Sequence, residues 1–169
     1  VSGQGLYLWK SSMGTGGSAE ILGNLFANAG WDSDFIISIS ATTNICIRVG
    51  FCEATIANTD PPTDWFGVEY DTANTGHTNT DFTWTTNTAS SPTYSIVNAK
   101  AADTNFHRFR FRSLVAGTIL MSVDGGIETP VTTATNNAVG IFLQVIPRTN
   151  TSIRLIVDYV SYVAATGRI

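Results

Sequence analysis

Residues 106–112 read Phe106-His107-Arg108-Phe109-Arg110-Phe111-Arg112. On a β-strand, successive side chains point to opposite faces of the sheet. His107, Phe109 and Phe111 then share one face, and the three arginines share the other. A helix would scatter both sets around its axis, so the period here is 2 and not 3.6. The next segment continues the pattern, with Ile119, Met121 and Val123 on one side of 118–123. Asp124-Gly125-Gly126 follows as a turn whose glycines accept positive φ. Residues 127–133 return as the second arm of a hairpin.

The same period extends in both directions along the chain. Residues 35–40 set Phe35, Ile37 and Ile39 against Ile36, Ser38 and Ser40. Residues 45–52 set Ile45, Ile47, Val49 and Phe51 against Cys46, Arg48, Gly50 and Cys52. Val139, Ile141, Leu143 and Val145 share one side of 139–146, and Pro147 suits a strand end. A last strand, about 153–163, carries Ile153, Leu155, Val157 and Tyr159 on one side. Polar connections separate these runs: 55–64 with Pro61-Pro62, 72–81, and the flexible Gly14–Gly17. Residues 18–27 fit a helix capped by Ser18, and fit a strand equally well. Ten or more strands punctuated by turns predict an all-β fold, an antiparallel two-sheet β-sandwich or jelly roll. Residues 1–169 are expected to form one such domain, with 1–29 its least defined part.

Composition narrows the function classes. The 169 residues carry 9 bases and 13 acids, a net charge of −4, and only two lysines, Lys10 and Lys100. Nucleic-acid binding needs clustered cations and is not expected. No apolar run reaches the length of a membrane span, so membrane insertion is not expected either. Val1 stands where a Met start would, which suggests a processed or trimmed chain. Cys46 and Cys52 lie six residues apart on one strand, a span of about 20 Å. A disulfide needs Cα atoms within about 7 Å, so two semi-buried thiols outside any disulfide are expected.

The segment richest in chemistry is Asp64-Trp65-Phe66-Gly67-Val68-Glu69-Tyr70-Asp71-Thr72. On a strand, Trp65, Gly67, Glu69 and Asp71 share a face, with the two carboxylates about 7 Å apart beside an indole. Trp84 follows in the next run. Three readings compete. Paired carboxylates hydrolyse glycosides when one carries a proton. Clustered oxygens bind hard cations such as calcium, and Glu69, Asp71, Asn74 and Asp81 are the candidate ligands. Last, Glu69 and Asp71 are acids that could neutralise the Arg108, Arg110 and Arg112 stripe across neighbouring strands. Flat indoles complement sugar faces, so Trp65 and Trp84, with Glu69 and Asp71, form the candidate glycan-binding set. Trp9 and Trp31 are expected in core or rim packing. His77 falls in a polar loop, and His107 is expected as a hydrogen-bonded core histidine.

Parts of the chain resemble known families. Glu69 and Asp71 match two positions of the Glu-x-Asp-x-Glu strand of jelly-roll glucanases, but Ala73 and Asn74 occupy the two possible places of the third acid. Val68-Glu69-Tyr70-Asp71-Thr72 is similar to the metal-binding strand of legume lectins, with Asn74, His77 and Asp81 of the right types downstream. More broadly, 65–72, 103–112, 117–126, 142–145 and 157–160 together resemble concanavalin A-like (laminin G-like) sandwich domains of phage virion and tail proteins. That resemblance covers roughly residues 30–163. It implies a non-catalytic virion or surface module, such as a capsid-decoration, tail or fibre protein. Its partners would be copies of itself or other virion proteins, in an extracellular or virion-surface setting. The alternative it leaves open is a lectin-like module for host or cell-surface glycans, with calcium as an optional aid and no other cofactor.

Overall fold

The computed structural model describes residues 6–7, 30–53, 65–73, 80–88, 91–115, 117–132, 139–149 and 152–164. The Gly14–Gly17 and 18–27 segments, Trp9, Asn74 and His77 lie outside these residues. The described residues form eleven strands in two antiparallel sheets. These are β1 (Leu6–Tyr7), β2 (Trp31–Ile39), β3 (Ile45–Glu53), β4 (Trp65–Asp71), β5 (Asp81–Thr88) and β6 (Ser91–Ala101). They continue as β7 (His107–Val115), β8 (Thr118–Val123), β9 (Thr129–Thr132), β10 (Val139–Pro147) and β11 (Leu155–Ala164). The six-stranded sheet runs β1-β10-β3-β4-β5-β6, and the five-stranded sheet runs β11-β2-β7-β8-β9.

The alternating apolar sets meet between the sheets. Ile45, Ile47, Val49 and Phe51 of β3 face Phe35 and Ile37 of β2 and Phe109 and Phe111 of β7 in one core cluster. Phe51 stacks on Phe66 at 5.0 Å between centroids, and Phe35 meets Phe111 edge to face at 5.5 Å. Such pairs contribute beyond their buried area, roughly 0.5–1.5 kcal/mol each. Pro92 and Pro130 sit on β6 and β9, which are edge strands. A proline there costs no central ladder bond.

The β8–β9 hairpin turns as its sequence requires. Asp124 and Gly125 have φ of 52° and 74°, and the Gly126 amide donates to the Val123 carbonyl at 2.8 Å. Positive φ at both central positions is the twist that suits a tight hairpin. Asp124 also holds the start of β7. Its backbone amide donates to the Arg108 carbonyl at 2.8 Å, and its Oδ1 accepts from the Arg108 amide at 2.9 Å.

Two details differ from the alternation read in sequence. β6 carries no clear period-2 signal in its sequence. In β11 the register shifts between Val157 and Tyr159, a β-bulge at Asp158. The extra residue reverses the parity beyond it. Tyr159 is therefore half exposed, while Val160 and Tyr162 pack on the core.

Candidate functional site

The outer face of the six-stranded sheet carries an unusual buried polar group. On β3 the outward set is Cys46, Arg48, Gly50 and Cys52. On β4 it is Trp65, Gly67, Glu69 and Asp71. The ladder places Arg48 opposite Glu69, Gly50 opposite Gly67, and Cys52 opposite Trp65. Gln144 of β10 lies opposite Arg48 on its other side. Arg48 donates from Nε to Glu69 Oε2 at 2.5 Å and from NH1 to Gln144 Oε1 at 2.7 Å. All three side chains are essentially inaccessible, at 1%, 0% and 0% exposure.

The glycine pair explains how Arg48 reaches further. Gly50 and Gly67 leave the sheet surface bare between the Arg48–Glu69 row and the Cys52–Trp65 row. Across this gap the Arg48 guanidinium lies 5.9 Å from the Trp65 ring centroid, a cation–π distance. Trp65, Cys52 and Phe142 form a small second cluster, with Trp65 and Phe142 6.4 Å apart. One strand position along, Arg148 grips Asp71 with two donors, its Nε at 2.9 Å from Oδ1.

This face also holds unsatisfied polar atoms. Among the described residues, buried side-chain polar atoms with no hydrogen-bond partner include Trp65 Nε1, Thr85 Oγ1 and Gln144 Nε2. Thr85 pairs with Gly67 and so shares the face. A buried polar group left unpaired costs about 1–3 kcal/mol, and three of them share this one sheet face.

The anticipated residues divide. Trp65, Glu69 and Asp71 do share the outward face of β4. Trp84 does not join them. The β4–β5 register sets it opposite Val68, so it points between the sheets. There it meets Phe109 and Phe111 edge-on, each at 6.0 Å. Trp65 is not an open platform either, since only 1% of it is exposed. Trp31 is a core residue, as expected.

The ionic pairing is corrected more strongly. Glu69 and Asp71 do not neutralise the arginine stripe, which belongs to the other sheet. Arg108 clasps Asp34 with two bonds of 2.7 Å, and Arg110 pairs with Asp32, its Nε at 3.0 Å from Oδ1. Arg112 bonds Glu128 at 2.5 Å. The acids come from β2 and the β8–β9 connection. Arg48 and Arg148 take Glu69 and Asp71 instead.

That assignment also removes two of the four candidate calcium ligands. Asn74 lies outside the described residues, and Asp81 accepts from the Thr80 hydroxyl at 3.1 Å. Among the described residues, no group of three or more acids, histidines and cysteines could hold a metal ion.

His107 is buried, as expected, with a carboxylate on each ring nitrogen. Nδ1 lies 2.8 Å from Asp124 Oδ2, and Nε2 lies 3.0 Å from Asp103 Oδ1. Hydrogen bonds from the Asn105 amide and then the His107 ring hold the Asp103 carboxyl below its usual range. Burial pushes the Asp124 carboxyl up, but the Arg108 amide, His107 and Lys100 outweigh it and leave it lowered. Cys46 and Cys52 are not in a disulfide and are fully buried, more deeply than anticipated. Burial pushes the Cys46 thiol well above its usual range.

Arg48 and Gln144 were not singled out in the sequence. A signal for Arg48 exists: Arg48-Val49-Gly50 and Gly67-Val68-Glu69 run in reverse order with opposite charges at their ends, as an antiparallel pair would read. Gln144 carries no comparable mark.

No protein-family model matches the sequence, and no curated protein matches it. Solved structures do. A toad ovary galectin in complex with thio-digalactose is similar over 96% of this chain and 99% of its own, with 12% identity and a TM-score of 0.54. CG-16, a homodimeric agglutinin from chicken liver, covers 95% of this chain and 100% of its own at 10% identity and a TM-score of 0.55. A structure described with endo-acting O-glycanases of the human gut microbiota covers 80% of this chain and 69% of its own at 11% identity and a TM-score of 0.60. With its two antiparallel sheets, this chain has the concanavalin A-like β-sandwich fold that the galectins share.

Proposed function

We propose that this chain is a non-catalytic carbohydrate-binding module, and that its glycan site is the outer face of the six-stranded sheet around Arg48, Glu69, Gln144 and Trp65. The observation that carries the reading is the set of unpaired buried polar atoms that share that face with Arg48. Planar polar side chains with fixed donors and acceptors suit vicinal hydroxyls, and an indole beside them suits a sugar ring. The agglutinin, the galectins and the O-glycanase structure support the reading through what their descriptions say of them.

Burial of the four side chains means that access requires local opening. Association is then slowed by the opening step, as for any binding that requires a conformational change. Catalysis is not part of the proposal. Glu69 and Asp71 stand on one strand and each is held by an arginine, whereas hydrolysis needs two carboxyls flanking a glycosidic bond. The virion or surface-assembly role that the sequence resemblance implies first draws no support from the similar structures, which favour its glycan-binding alternative. An extracellular or cell-surface setting belongs to the proposal, as does self-association beside glycan binding.

The test is a glycan array probed with labelled wild-type protein and with Gln144→Ala, which removes one polar partner without leaving a buried charge. Retention of a defined glycan class by wild type, weakened in the variant, is the expected result. No retained glycan, or identical retention by both proteins, would overturn the proposal.

A further inference from the structure

The opposite face of the sandwich carries a second feature. A concavity of about 220 Å³ opens on the five-stranded sheet, lined by Arg108, Arg110, Ser122, Gly125, Gly126 and Glu128. Its size falls below the roughly 300–1,000 Å³ of pockets for drug-sized ligands, so its occupant is small. Gly125 and Gly126 of the β8–β9 turn line it without side chains, and a Cβ on Gly125 would stand in open space with no atom within 4 Å.

The donors around it are held in place. A guanidinium has five N–H groups in a rigid fork. Arg108 spends two on Asp34, and Arg110 spends two on Asp32. Both aspartates lie on β2, on the side of β7 away from β8. Three N–H groups of each arginine stay outside these pairs. Their forks are pre-oriented, which lowers the cost of a bidentate oxyanion contact. Arg112 adds a buried Nε with no partner in the same stripe. Charge alone cannot recruit the ligand, because Asp32, Asp34 and Glu128 balance the three arginines and the chain is net acidic. Glu128 and Ser122 offer acceptors for hydroxyls instead.

We propose that this concavity binds a single acidic sugar unit, with its carboxylate or sulfate on Arg108 and Arg110 and its hydroxyls toward Glu128 and Ser122. The site is separate from the Arg48 face and stands or falls independently of it.

The experiment follows the arginine Nε–Hε signals of ¹⁵N-labelled protein during titration with glucuronate, glucose and inorganic sulfate. Glucuronate is expected to shift the Arg108 and Arg110 signals in a saturable way, with sulfate weaker and glucose silent. Arg110→Lys keeps the charge but loses the fork, and weakens glucuronate about tenfold. Glu128→Gln removes a like charge from the cavity wall and tightens glucuronate roughly threefold. A loss of folding cannot mimic that gain. Sulfate binding as tightly as glucuronate would overturn the sugar assignment, and equal shifts with glucose would overturn the oxyanion assignment. No shift at either arginine, or no tightening in Glu128→Gln, would overturn the site itself.

Discussion

Gly50 and Gly67 face each other across β3 and β4, and neither position has room for a Cβ. A Cβ on Gly50 would collide with the Phe66 carbonyl oxygen, and one on Gly67 with the Val49 carbonyl oxygen. Both obstacles are backbone atoms in the middle of the sheet, so no rotamer change relieves them. The pair therefore fixes the close approach of the two strands that carry Arg48 and Glu69.

Gly67→Ala should destabilise the fold by about 1–3 kcal/mol, the usual cost of forced overpacking. A shift of the urea midpoint to lower concentration with an unchanged slope is the expected outcome. An unshifted midpoint would show that the strands can part at this point without loss.

Arg48 is the hub of its face, and its removal takes the paired guanidinium away from the buried Glu69 carboxylate. Arg48→Met should cost about 3–5 kcal/mol, the cost of breaking a buried ion pair from one side. The double variant Arg48→Met with Glu69→Leu should recover part of that loss, because no buried charge is then left over. Additive losses in the double-mutant cycle would mean that the two side chains do not interact energetically.

Acid should weaken the fold through its paired aspartates. The side-chain hydrogen bond from Arg110 holds the Asp32 carboxyl down, and Asp103 and Asp124 are also lowered. A carboxyl depressed in the folded state contributes stability that is complete above its unfolded value, about 3.9. That contribution is lost as pH falls from there through the folded value. Asp32→Asn should therefore lower Tm at pH 7 and leave it little changed near pH 2. A Tm deficit that persists undiminished at pH 2 would point to lost packing instead of lost charge.

The sequence made the strands legible because burial between two sheets writes a period-2 pattern. His107, Phe109 and Phe111 needed only their own segment to be read. Partners across strands needed the sheet order, which no single segment holds. The arginine stripe thus pointed to Glu69 and Asp71 when Asp32 and Asp34 lie beside it. Trp84 shows the same limit from another side. Its indole invites a binding reading, and only the register opposite Val68 turns it into the core. The bulge at Asp158 was hidden because Tyr159 continues the two-residue spacing of Leu155 and Val157, while the inserted residue moves the core face to Val160 and Tyr162. For the same reason, Trp84→Ala should cost about 3–5 kcal/mol as a core truncation and leave glycan selectivity on an array unchanged.

The two cysteines give a direct view of how the Arg48 face opens. Cys46 and Cys52 flank Arg48 and Gly50 on that outward set, and both are buried. Only the thiolate reacts with a disulfide reagent, and burial disfavours it at Cys46. Ellman's reagent should therefore label the native protein slowly, at a rate that saturates with reagent concentration if opening limits it. Full denaturation should make both thiols react at once. A glycan that enters the opened face and covers Arg48, Glu69 and Trp65 competes with the reagent for that face and slows labelling by mass action. A glycan selected on the array should thus protect Cys46 and Cys52 in proportion to its occupancy. Glucuronate at the opposite face should leave the labelling rate untouched. Rapid labelling of both thiols in the native protein would show the face to be open, and binding there would then need no opening step.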